Sequence, residues 1–178
     1  GQLSEATAVS GLKDALRLAT ERAVQSTSKI DGFFENPKIR IGLPGKLSKV
    51  ATALRGIGMG GQVDELELAM NRAAERAASE ATPVFVDAIS KMSFEDAMGI
   101  VKGGDTSATE YFDRATREPL RERFSPIVAS VMRNVGVGKL YEQLISRYRS
   151  AIPFASAPEL DLDAYVTDKT LAGLFAVV

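Results

Sequence analysis

The sequence contains no cysteine and no histidine among its 178 residues. Without cysteine there is no disulfide framework, thiol nucleophile or thiolate metal site, and without histidine the commonest metal ligand and general base are both missing. Much familiar catalysis is thereby excluded. An excess of one charge is lacking too: 22 Lys and Arg stand against 23 Asp and Glu, for a formal charge of −1. That balance leaves no basic footprint for a phosphate backbone, and nucleic acid is not an expected partner. No window approaches the roughly 20 apolar residues that span a bilayer, and Gly1 to Ser10 do not read as a cleavable signal, so any membrane association is expected to be peripheral. What remains is 45% apolar residues, enough for a single domain over 1–178 to bury a core without staples.

Hydrophobic periodicity organises the chain. From Ser4 to Ser28, Leu12, Ala15, Leu16, Ala19, Ala23 and Val24 follow helical spacing, with Lys13, Asp14, Arg17 and Glu21 opposite. Gly11 weakens that helix locally, and a separate first turn capped afresh at Ser10 is expected. Residues 29–46 break the period with Asp31-Gly32, Asn36-Pro37 and Pro44-Gly45 around Phe33, Phe34, Ile39, Ile41 and Leu43, and one short extended stretch. Leaving five large apolar side chains wet forfeits roughly 1.5 to 3 kcal/mol each, so this loop reads as a strap pinned across a helical body.

Helix returns at Leu47 to Leu54, stops at the glycines between 56 and 61, and resumes with Val63, Leu66, Met70, Ala73, Ala74 and Ala77. The alanines admit a closely approaching neighbour. Pro83 opens another helix at a first-turn position, Ser93 and Asp96 form a capping box, and Thr106 is expected to cap the next. Pro119 reads as a further first-turn proline and Pro126 as a kink or interruption. Gly136 and Gly138 end that helix, Leu140 to Tyr148 form another before Pro153, and Asp161 caps a C-terminal helical segment over 161–178. The expected fold is all-α, a compact bundle of about eight or nine short to medium helices with one long apolar strap.

Four sets of residues invite chemistry. The Gly56 to Gly61 run suggests a phosphate cradle, but it follows a helix and lacks the Lys-Ser/Thr of a nucleotide loop, which favours a turn. Carboxylates at Asp64, Glu65 and Glu67 and at Asp161, Asp163 and Asp168 lack calcium-loop spacing and suit helix starts, so no metal or other cofactor is expected. Asn71 and Arg72 in an Ala-rich helix are candidates for binding a ligand carboxylate, with Tyr111 as a pocket phenol; a structural buried pair is the alternative. Arg114, Arg117, Arg121 and Arg123, interleaved with Glu110, Asp113, Glu118 and Glu122, suit either a self-paired surface or docking to an acidic partner. No pair of groups is placed for catalysis, and no enzyme is expected.

Several strings in order, Gly11 to Leu16, Asn36 to Pro44, Met70 to Glu75, Pro83 to Ala97, Gly103 to Phe112, Phe124 to Val128 and Asp161 to Phe175, resemble domain-of-unknown-function family 4197 across nearly the whole chain. The resemblance implies no catalytic residues. It implies export in bacteria, and an organelle lumen in algal-type relatives, hence a periplasmic or thylakoid-lumenal setting. A chain opening on Gly1 fits a processed product. The family pattern also runs past Phe175, so the apolar end at Val178 is expected to be either truncated or buried. The functional expectation is a helical accessory or scaffold subunit docking on a larger, membrane-bound respiratory or photosynthetic complex. Phe33, Phe34, Ile39, Ile41, Arg114, Arg117 and Arg121 are its anchors. The alternative is a pocket for a lipid or small anion read by Arg72, Asn71 and Tyr111.

Overall fold

The computed structural model describes the backbone of residues 2–178 and side chains from Ser4 onward; the reading of Gly1 as a processed start lies outside the described residues. Among them there are eight α-helices and no strand: α1 Gln2–Ser28, α2 Ser48–Gly56, α3 Gly60–Ala78, α4 Thr82–Lys91, α5 Phe94–Lys102, α6 Ser107–Asn134, α7 Val137–Ala151 and α8 Leu162–Val177, with a 3-10 turn at Gly45–Leu47 before α2. The all-α expectation holds, as does the count of helices. No helix is long and apolar enough to cross a membrane among the described residues.

Helix α3 lies at the centre, packed against α1, α2, α6, α7 and α8. Its alanines explain this position: Ala73, Ala74, Ala77 and Ala78 are fully buried, and with no side chain beyond Cβ they let neighbouring backbones approach. Helix α6 is the second axis and packs on α3, α4, α5, α7 and α8. Between them the aromatic core is built edge to face, with Phe85 5.3 Å from Phe112 and 6.5 Å from Phe175, centroid to centroid. Helix α8 is buried on most sides, and its threonines turn their hydroxyls back on the helix, Thr167 donating to the Asp163 carbonyl and Thr170 to that of Val166. Near the end of α8, Leu174 is fully buried and Phe175 nearly so, while Val177 and Val178 pack on the same core.

Three local expectations are corrected. α1 is continuous through Gly11, because its packing on α3, α4 and α5 outweighs a propensity loss of about 1 kcal/mol. α6 is one helix of 28 residues that contains both prolines, so Pro119 does not open a helix and Pro126 does not interrupt one. The reason is the face on which they stand. Ala115, Pro119, Glu122 and Pro126 follow helical spacing and are all exposed, so the carbonyls of Ala115 and Glu122, which lose their N–H donors to proline, face water. Thr106 sits at the N-cap position without capping; its hydroxyl donates to the Glu110 carboxylate instead. By contrast the box of Ser93 and Asp96 and the Asp161 cap, which accepts from the Ala164 N–H at 3.0 Å, form as expected. Gly136 takes a left-handed φ of 74° between α6 and α7, a conformation in which any larger residue is strained, whereas Gly138 lies inside α7.

Candidate functional site: a side-chain clamp on the strap

Residues 29–44 cross the body as a succession of turns, with no strand partner. Their apolar side chains go inward as a pinned strap requires: Phe33 is fully buried and Ile39 and Ile41 are 7% and 1% exposed. Burying a loop also buries its backbone, whose N–H and C=O groups need partners that a helical body does not present. α3 supplies them with side chains. Glu67, Asn71 and Glu75 stand four residues apart and so share one face of α3, and each meets the strap.

Asn71, fully buried, acts as a strand would. Its Oδ1 accepts from the Ile41 N–H at 2.8 Å while its Nδ2 donates to the Ile41 carbonyl at 2.8 Å and to the Glu67 carbonyl at 2.9 Å. One turn later the Glu75 carboxylate, 3% exposed, accepts from the N–H groups of Phe33 and Phe34 through Oε2, at 3.0 and 3.1 Å. Its Oε1 accepts from Arg72 at 2.8 Å, and the other end of the Arg72 fork reaches Asp31 Oδ1 at 2.9 Å. Hydrogen bonding to Glu75 comes first among the influences that raise the Arg72 pKa further, so the guanidinium is a fixed positive charge beside the buried carboxylate. One turn earlier Arg40 of the strap pairs with Glu67 at 2.8 Å and lies 4.1 Å over the Phe34 ring. The strap therefore runs antiparallel to α3, with residues 33–34 on Glu75 and residue 41 on Asn71.

Other elements close the clamp. The Tyr165 hydroxyl of α8 donates to the Gly42 carbonyl at 2.6 Å. Gly173 of α8 leaves the room that the Phe33 ring fills: a Cβ there would stand 2.6 Å from Phe33 Cε1. Gly32 is required for the same kind of reason, since a Cβ would fall 2.5 Å from the carbonyl oxygens of Ser26 and Thr27.

The residues expected to bind a ligand are thus committed to the chain itself. Asn71 and Arg72 are parts of the clamp: Asn71 is buried, while Arg72, a third exposed, pairs with Glu75 of its own helix and Asp31 of the strap. Tyr111 is 8% exposed and donates to the Ala88 carbonyl at 3.0 Å; burial, then the Asp96 carboxylate, push its phenol above the ordinary range, against the opposing Arg114. The anchors expected on the strap are corrected as well: Phe33, Ile39 and Ile41 lie in the core, and only Phe34 is half-buried, beneath Arg40. The same large apolar surface that suggested a docking anchor is what holds the strap down.

The arginines of α6 divide. Arg117 forks onto Asp113 one turn away, which holds the Asp113 carboxyl below its usual range, and also lies 5.5 Å over the Phe175 ring. Arg121 reaches Asp168 of α8 at 3.1 Å. Arg114 is exposed near Tyr111 with no ion pair among the described residues. No group of metal-ligating side chains gathers among the described residues; Gly58 takes a φ of 85° in the turn after α2, and Gly60 and Gly61 open α3. A small half-open cavity of about 20 Å³ lies between the strap end, α2, α3 and α7, lined by Leu43, Leu47, Leu54, Leu66 and Tyr141 among others. It has room for about one water and offers an apolar wall.

A protein-family model, "Protein of unknown function (DUF4197)", matches residues 2–178. The chain belongs to the DUF4197 family. For this DUF4197 protein no curated protein and no solved structure gives a match. Sequence reasoning had Asn71 and Arg72 in view but not their partners, and it read Glu67 as a helix-start carboxylate rather than a partner of the strap. The legible signal was the four-residue spacing of Glu67, Asn71 and Glu75 on a helix that is otherwise apolar on its buried sides.

Proposed function

We propose that this DUF4197 protein is a non-catalytic helical accessory subunit that docks on a larger assembly. The assembly is a membrane-bound respiratory or photosynthetic complex approached from its periplasmic or lumenal side, a setting that follows from the export implied by the family. The observation that supports docking is the face shared by α5 and α6. Phe94 opens α5 half-exposed at 50%, Val101 is 45% exposed on the same helix, and Arg114 on α6, with no ion pair among the described residues, lies beside the Asp96 and Tyr111 corner. Exposed apolar side chains on α5 and, on the α6 packed against it, an arginine with no ion pair among the described residues are the residue chemistry that anchors protein interfaces, and this reading takes them in place of the strap.

The ligand reading has less behind it, since Arg72, Asn71 and Tyr111 all hold the chain's own groups. A native gradient of the source organism's membranes and soluble fraction, read by mass spectrometry for this chain, tests the docking proposal. The wild type is expected to migrate with a large complex, and Phe94→Ala with Arg114→Glu to release it at unchanged helix content. Wild-type migration near 19.1 kDa, or retention of the double variant on the complex, overturns it.

A further inference from the structure

A second face of the molecule differs from the first in charge. The 3-10 turn with α2, and α7 which packs against α2, carry six basic residues, Lys46, Lys49, Arg55, Lys139, Arg147 and Arg149, against a single acidic one, Glu142. All six are exposed, in a chain whose total formal charge is −1. Arg55 pairs with Asp64, and the other five have no ion pair among the described residues. Basic residues thus outnumber acidic ones on α2 and α7, and still do when Glu159 and Asp161 of the loop after α7 are counted with them.

Directly after α7 the chain offers apolar side chains to solvent. Ile152 is 40% exposed and Phe154 is 107% exposed, its ring clear of the other described residues. Phe154 is also held at φ 66°, where a non-glycine residue is strained. The loop is tied to α7 behind this tip: the Tyr141 hydroxyl donates to the Pro158 carbonyl at 3.3 Å, and Arg149 lies near enough to that hydroxyl to act on it electrostatically. At the C-terminal end of α2, Ile57 adds a third apolar side chain, 47% exposed.

We infer that this face binds the surface of an anionic bilayer, with Phe154 and Ile152 inserted at the headgroup level and the basic residues of α2 and α7 against the lipid phosphates. The charge selects an anionic partner. The shape fits a lipid one, because a wholly exposed ring at a loop tip, with Ile152 two residues before it, can enter the boundary of water and acyl chains, where aromatic rings are stable. Each Lys or Arg held near an anionic membrane strengthens binding roughly fivefold, and the ring roughly tenfold or more. The inference deepens the docking proposal, from which it takes only the nearness of a membrane, and it uses a different face.

Co-sedimentation of the purified chain with vesicles tests it. The protein is expected to pellet with phosphatidylcholine vesicles containing phosphatidylglycerol, to remain in solution with phosphatidylcholine alone, and to be released by salt. Phe154→Ser, on a fully exposed side chain, should lower the affinity about tenfold. Arg147→Glu with Arg149→Glu should lower it about 25-fold or more at unchanged helix content. No pelleting with anionic vesicles at low salt, equal pelleting with neutral ones, or undiminished binding by Phe154→Ser overturns the inference. A chain that fails on vesicles but migrates with a complex through Phe94 and Arg114 overturns this inference alone. Vesicle binding with the Phe94 and Arg114 variant still on its complex overturns the docking proposal alone.

Discussion

Two loops in this protein have similar ingredients and opposite fates. The strap at 29–44 and the connection at 152–161 each hold prolines, a phenylalanine flanked by other apolar residues, and one non-glycine residue with positive φ, Asp31 at 70° and Phe154 at 66°. Phe33 is wholly buried and Phe154 wholly exposed. Hydrophobicity does not distinguish them. What differs is whether a neighbouring helix can satisfy the backbone that a buried phenylalanine drags inward. α3 presents Asn71 and Glu75 to the strap; α7 presents to the second loop one phenol, on the Pro158 carbonyl. Even the strained residues follow this division, since Asp31 is held by the salt bridge to Arg72 whereas nothing holds the Phe154 side chain.

The comparison is broken most severely at Glu75. Glu75→Leu leaves two strap N–H groups and one Arg72 contact without their acceptor and should destabilise the fold by about 3 to 5 kcal/mol in urea unfolding. Glu75→Gln, which keeps one acceptor oxygen, should lose distinctly less. Phe33→Ala is expected in the same range, about 3 to 5 kcal/mol, through the cavity it opens against Gly173. Asn71→Ala follows at roughly 2 to 3 kcal/mol, for it strands both polar groups of Ile41. Limited proteolysis should then cut between residues 29 and 44 first. Tyr165→Phe, which deletes only the bond to the Gly42 carbonyl, should lose about 1 kcal/mol. At the other loop the sign reverses: Phe154→Gly relieves the left-handed strain and should raise the unfolding midpoint slightly, by at most about 1 kcal/mol of stability. A comparable loss there would show that the two loops are held alike.

The smallest effects are in pH. Asp113, lowered by Arg117, contributes stability that is present above the ordinary carboxylate pKa and is lost as pH falls through its own lowered value. Asp163 is raised, by burial first and then by Asp161, so folding favours its protonated form and its contribution improves as pH falls. Asp113→Asn should flatten the acid limb of the stability profile, and Asp163→Asn should raise stability at neutral pH.

Much of the helical frame was legible because its determinants are local. The Ser93 and Asp96 box, the Asp161 cap, the glycine turn after α6 and the periodic faces all lie within a few residues of what they control. The prolines of α6 misled because proline was weighed against a helix without the knowledge that Ala115 and Glu122 face water. The strap was legible as an apolar loop that must be pinned, yet its Phe33, Ile39 and Ile41 were also assigned to a partner, since a sequence states that such residues need covering but not by what. The clamp itself was out of reach for a related reason. Asn71 pairs with Ile41 across 30 positions, and an asparagine in a helix announces neither the loop it will hold nor a ligand it will bind.

Amide hydrogen exchange, resolved at Phe33, Phe34 and Ile41, tests the clamp most directly. The account predicts that these three amides, though in a loop without regular structure, exchange as slowly as the core amides of α3, and that the Ile41 amide becomes fast in Asn71→Ala. Exchange of all three at the rate of the 152–161 loop in the wild type would contradict it.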